Sequence, residues 1–194
     1  FFNTVYASDF KVEYSVSTSG IKIGKFTWYL YIEKNSYETG INLQNSGIFS
    51  PLYKFEGHYK SVGSYKNNYF RSQEYNQYWK TKKKVKIVEM TFNEYLTKLF
   101  QSPKETESAR INLFELSEYY DPLSSFINIL SGNNEAKTID GRRVYIMERW
   151  DEDASKKMVI KIKNYKNIWA DHKRNDLKKI EFFLEDENFL PKRI

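Results

Sequence analysis

Few side chains in this sequence have the types and spacing for chemistry. His58 and His172 are its only histidines, and it has no cysteine. A structural zinc ion takes four ligands at defined spacing, and neither a His-x-x-x-His pattern nor a cysteine pair supplies them. Serine hydrolysis on a Gly-x-Ser-x-Gly elbow has no counterpart here. Glu56 and His58, two residues apart on a strand, read as neighbours rather than as an acid–base pair. Paired carboxylates about 5–9 Å apart in a cleft could cleave a glycosidic bond, and Glu13, Glu33, Glu74 and Glu148 are the candidates. Glu148 stands out because by parity it shares the face of Val144, Ile146 and Trp150, and an inward carboxylate needs a partner. It reads as a charge at a strand end or cavity rim. The expectation is a protein that is not an enzyme, with no catalytic residues, no metal and no cofactor.

Charge offers a second chemistry. Lys80, Lys82, Lys83, Lys84 and Lys86 fall within seven residues, beside Tyr78 and Trp79, in a chain of net charge +6. Lysines interleaved with aromatic residues can form a platform for single-stranded nucleic acid. They can equally cap a hairpin tip and keep it from pairing edge to edge. For an exported chain nucleic acid is set aside. The functional reading of the run is then contact with an anionic surface, lipid or glycan, at the membrane periphery.

The elements that must position these residues are strands. From Phe10, Phe10, Val12, Tyr14 and Val16 alternate with Lys11, Glu13, Ser15 and Ser17, the period-two signature of a sheet with one dry face. Ser19-Gly20 separates this strand from Ile21–Glu33, where the apolar phase flips near Gly24 and predicts a β-bulge. Strands follow at 37–44, 55–65, 69–80 and 85–92, with a second phase shift between Ile87 and Val88. Asp140-Gly141 marks a hairpin, its second arm running from Arg142 to Trp150, and Lys179–Leu184 is the last clear strand, with Ile180, Phe182 and Leu184 inward. Gln101–Ser108 reads as the least ordered stretch. One segment, 121–131, is helical. Asp121 supplies the N-cap acceptor and Pro122 the first turn. Leu123, Phe126, Ile127 and Leu130 form one apolar stripe, and Gly132 provides the C-terminal left-handed position.

The fold class is therefore mainly β, a strongly curved antiparallel meander or open half-barrel of about nine or ten strands with one capping helix. Val5 and Ala7 carry the small-residue spacing of a signal-peptidase cut, so residues 1–7 read as a signal-peptide remnant and 8–194 as one β-rich domain. An exported, periplasmic setting follows. The dry face is either simply core or the lining of a cavity. In the cavity reading Phe26, Trp28, Leu30 and Phe182 line a site for a lipid, acyl chain or other apolar ligand, with Leu123, Phe126, Ile127 and Leu130 as its lid. The alternative is a structural partner that binds another envelope protein through a strand edge. A polysaccharide-active enzyme is the least favoured reading.

Tyr120-Asp121-Pro122-Leu123-Ser124-Ser125-Phe126 resembles the Asp-Pro-Leu-Ser signature of the bacterial family known as domain of unknown function 3108. Three other stretches are similar in the same order. They are Tyr14-x-Val16 with Gly20–Gly24, the apolar turn Gly47–Phe55, and the closing Leu190–Ile194. The resemblance spans about residues 9–194 and implies an exported envelope protein built on a curved antiparallel sheet with a capping helix. It implies no catalytic residues.

Overall fold

The computed structural model describes residues 9–18, 21–46, 54–151, 157–169, 177–184 and 191–193. The turn expected at Ser19-Gly20, most of the apolar turn 47–55, His172 and residues 1–7 lie outside them. The first half of the chain is a seven-stranded antiparallel meander, sheet A, in sequence order. Its strands are β1 (Phe10–Thr18), β2 (Ile21–Glu33), β3 (Ser36–Asn45), β4 (Phe55–Lys66), β5 (Tyr69–Thr81), β6 (Val85–Asn93) and β7 (Tyr95–Ser102). The second half forms sheet B from β8 (Tyr119–Tyr120), β9 (Glu135–Ile139), β10 (Arg143–Asp151), β11 (Lys157–Asn167), β12 (Lys179–Leu184) and β13 (Pro191–Arg193). The helix α1 (Pro122–Leu130) connects β8 to β9, the one parallel pair. The fold is thus mainly β with one helix and open sheet edges, as expected. The expected nine or ten strands become thirteen among the described residues, divided between two sheets. Alternation reports which face a strand buries and is silent about which neighbour it pairs with, so the division was not legible.

The bulges are partly where the phase flips place them. Val16 pairs with Gly24 and Ser17 with Lys22, which leaves Ile23 as the extra residue of β2 beside the predicted Gly24. The shift expected between Ile87 and Val88 is absent, since β6 pairs there without interruption on both sides. Val85 and Ile87 instead belong to the outer face, and Val85 is 43% exposed while Val88, Met90 and Phe92 are buried. The bulges that sequence reading passes over include Gln73 on β5, where Val62 pairs with Glu74 and Gly63 with Ser72, and Thr97 on β7. A third, on β11, has Asn164 in the left-handed conformation at φ 52°. Each re-aims the dry face in mid-strand, and β5 accordingly buries both Phe70 and Tyr75.

Helix α1 begins as its sequence dictates. Asp121 accepts from the amides of Leu123 and Ser124, and Gly132 follows the helix at φ 103°. Its role differs from that of a lid with one apolar stripe. Ser124, Ser125, Asn128 and Ile129 are buried along with Leu123 and Ile127, whereas Phe126 and Leu130 are only half-buried. The helix is a pillar between the sheets. Leu123 packs into a cluster with Tyr75, Met90 and Val144, Ile127 into one with Trp28, Leu30 and Phe70, and Ile129 into one with Met147, Ile160 and Phe182.

Candidate functional site

The residues expected to line a cavity divide between two places. Trp28, Leu30, Ile127 and Phe182 are at most 1% exposed and serve as core. Phe126 bridges the sheets, with ring centroids 5.4 Å from Trp28 and 5.1 Å from Phe182. Phe26 is half-buried and stacks on Tyr14 of β1 at 4.7 Å. Leu123 lies in a different cluster from the rest of the helix stripe. The others pack against one another in buried clusters. An opening remains at the C-terminal end of α1. There Leu30, Ile32, Tyr65, Phe70 and Leu130 floor a groove of about 330 Å³, open to solvent, with Asn68 and Ser131 at its rim. The rim is held in place, since the Asn68 amide donates to the Ser131 carbonyl at 2.7 Å and Tyr65 donates to Asn68 at 3.2 Å. Of the predicted lining, only Leu30 and Leu130 reach it.

Behind the groove the helix is fixed to sheet A by polar groups. Asn128 accepts from the Phe70 amide and donates to the Phe70 carbonyl, both at 2.8 Å. One side chain thereby replaces a neighbouring strand where β5 runs beyond β6. At the other end of the helix Ser61 and Ser124 both donate to Asp121, at 2.8 and 2.5 Å. With both serine hydrogens committed, the Tyr37 hydroxyl donates to Ser124 at 2.5 Å. Asp121 is wholly buried, and burial raises its pKa above the usual carboxylate value of 3.8 despite the serine donors. Burial and the nearby Asp121 charge also push the Tyr37 phenol far up. Serines, a carboxylate and a tyrosine in contact could shuttle protons, but every one of them is buried against helix and sheet. Their chemistry is that of a fastening. Sequence reading found the cap and missed the fastening, whose only signal is Ser61 at an inward parity between Tyr59 and Gly63.

The charged candidates lie elsewhere. Lys82, Lys83 and Lys84 form the tip between β5 and β6, where Thr81 accepts the Lys84 amide at 3.1 Å. Lys80 and Lys82, with Lys54, flank an open cleft over Phe55, whereas Lys86 sits on the other side beside Arg142 and Asp140. The five lysines are thus not one patch. Trp79 stacks on Phe55 while Tyr78 leans on His58, so the two aromatic residues face opposite ways and make no common platform. Glu148 does not point inward as parity predicted. Tyr145 and Met147 take the inward positions of β10, while Trp150 is 50% exposed beneath Lys161. Glu148 is bonded to Lys163 at 2.7 Å, with Glu135 opposite on β9 and exposed. Glu56 and His58 do pair, at 2.7 Å, and Asn42 holds the other ring nitrogen at 2.7 Å. Among the described residues no group of three acidic or histidine side chains could hold a metal ion. No helix among them is long and apolar enough to cross a membrane. No protein-family model, curated protein sequence or solved structure matches this chain.

Proposed function

We propose that this is an exported, non-enzymatic protein of the bacterial envelope that binds the apolar part of a lipid or other amphipathic ligand in the groove at the end of α1. One observation carries the reading. A solvent-open groove is walled by the half-buried Tyr65 and Leu130, with the buried Leu30, Ile32 and Phe70 beneath them and a fixed polar rim above, and its volume lies at the lower end of small-molecule sites, about 300–1,000 Å³. An acyl chain would cover the floor, and its polar head would meet Asn68 and Ser131. The resemblance to the exported family of domain of unknown function 3108 supports the envelope setting. The lysine tip is a separate feature of the same reading, suited to contact with anionic lipid. Groove and tip lie at opposite ends of the thirteen-residue β5, roughly 40 Å apart along an extended strand, so no single acyl ligand touches both.

Titration with decanoate, followed by displacement of a fluorescent apolar probe, tests the proposal. Saturable displacement is expected, and Leu130→Gln should weaken it about tenfold by removing apolar contact. Absence of saturable binding, or binding indifferent to Leu130→Gln, would overturn it.

A further inference from the structure

Strand β1 is an edge of sheet A, and among the described residues it pairs only with β2. Its outward backbone groups can be identified. The Ile32 amide donates to the Asp9 side chain on the β1 side of β2, while the Thr39 hydroxyl donates to the Tyr29 carbonyl on the β3 side. Even-numbered residues of β2 from Phe26 to Ile32 thus direct their backbone at β1. Their partners Phe10, Val12 and Tyr14 turn their amides and carbonyls inward, and those of Lys11, Glu13 and Ser15 point out. The dry side of this strand is unfinished as well, since Phe10, Val12, Tyr14 and Val16 are only half-buried.

We propose that β1 is a self-recognition edge that pairs antiparallel with β1 of a second copy, centred on Val12, to join two A sheets into one. The register follows from charge. Residues directly opposite in an antiparallel pair share a face, so the two-fold axis must pass midway between one residue of the strand and its own copy. Centred on Lys11 or Glu13, the axis sets like charges against each other, which destabilises. Centred on Tyr14, it pairs Lys11 and Glu13 with serines. Centred on Val12, it sets Lys11 opposite the partner's Glu13 twice and Phe10 opposite the partner's Tyr14 twice. Both charges of this edge, which would otherwise repel a random strand, then become complementary, whereas centring on Phe10 engages only Lys11, opposite an Asp9 that already accepts from the Ile32 amide. Glu13 accepts from Lys25 through Oε2 at 2.8 Å, a bond that occupies one of its two oxygens.

Sedimentation of the full chain over a concentration series provides the test. A monomer–dimer equilibrium is expected. Lys11→Glu and Glu13→Lys, each at an exposed position, should each weaken the dimer about tenfold or more by turning two attractions into repulsions. The Lys11→Glu, Glu13→Lys double variant should recover it, since each new glutamate then faces a new lysine. Circular dichroism confirms that all variants are folded. A monomer at every concentration, a dimer unmoved by the single reversals, or a double variant no better than the singles would each overturn the proposal.

Discussion

Asp121 is both the N-cap of α1 and the acceptor at the centre of a buried hydroxyl cluster, and the two roles pull its protonation in opposite directions. The donors favour the carboxylate; burial favours the acid and prevails. A carboxyl whose folded pKa exceeds its unfolded value binds more protons when folded, so its contribution to stability is greatest at low pH and is lost as pH rises through the folded pKa. The window opens near 3.8 and extends upward. Asparagine caps a helix about as well as aspartate and does not titrate there. The melting temperature of wild type relative to Asp121→Asn should therefore be higher at the acidic end of this window than at neutral pH, as thermal denaturation across pH would measure. A constant difference would show that Asp121 does not carry the proton. The cap was legible because it is made within three residues. The link to Ser61, sixty residues away in the chain, was not. The Glu56–His58 bond was misjudged for a different reason. Residues two apart on a strand lie about 7 Å apart on one face, and a glutamate side chain spans that gap.

At the scale of elements, the helix is held less by its stripe than by what replaces sheet pairing around it. Asn128 satisfies both backbone groups of Phe70 where β5 has no strand beside it. Asn128→Ala leaves a buried donor and a buried acceptor without partners, a loss of about 2–6 kcal/mol at roughly 1–3 kcal/mol each. Urea denaturation should show this loss, and a loss below about 1 kcal/mol would mean that the helix is fixed by its apolar contacts alone. The start and end of α1 were readable because Asp-Pro and Gly have local conformational causes. The bulges were readable only where the apolar phase changed within a strand that stayed apolar. At β5 the inward residues Phe70, Ser72 and Tyr75 include a serine, which hides the flip at Gln73. At β6 the apolar Val85 and Ile87 on the outer face imitate a flip that does not occur.

For the whole molecule, alternation established that each sheet has a dry face, and the structure adds what covers it. Sheet A, sheet B and α1 bury three apolar clusters between them. The groove at the end of the helix and the half-buried side of β1 are two sites facing different partners in this account. Neither could be located from the sequence, because both depend on which strands stop short of their neighbours. The lysine tip, by contrast, was legible as a tip, since its residues are contiguous. The central claim, that the groove and not the tip receives the apolar ligand, is tested most directly by amide chemical-shift mapping during titration with decanoate. The account predicts shifts concentrated at Ile32, Tyr65, Phe70 and Ser131, with Lys82, Lys83 and Lys84 unmoved. Shifts centred on the lysines, or none at the groove, would contradict it.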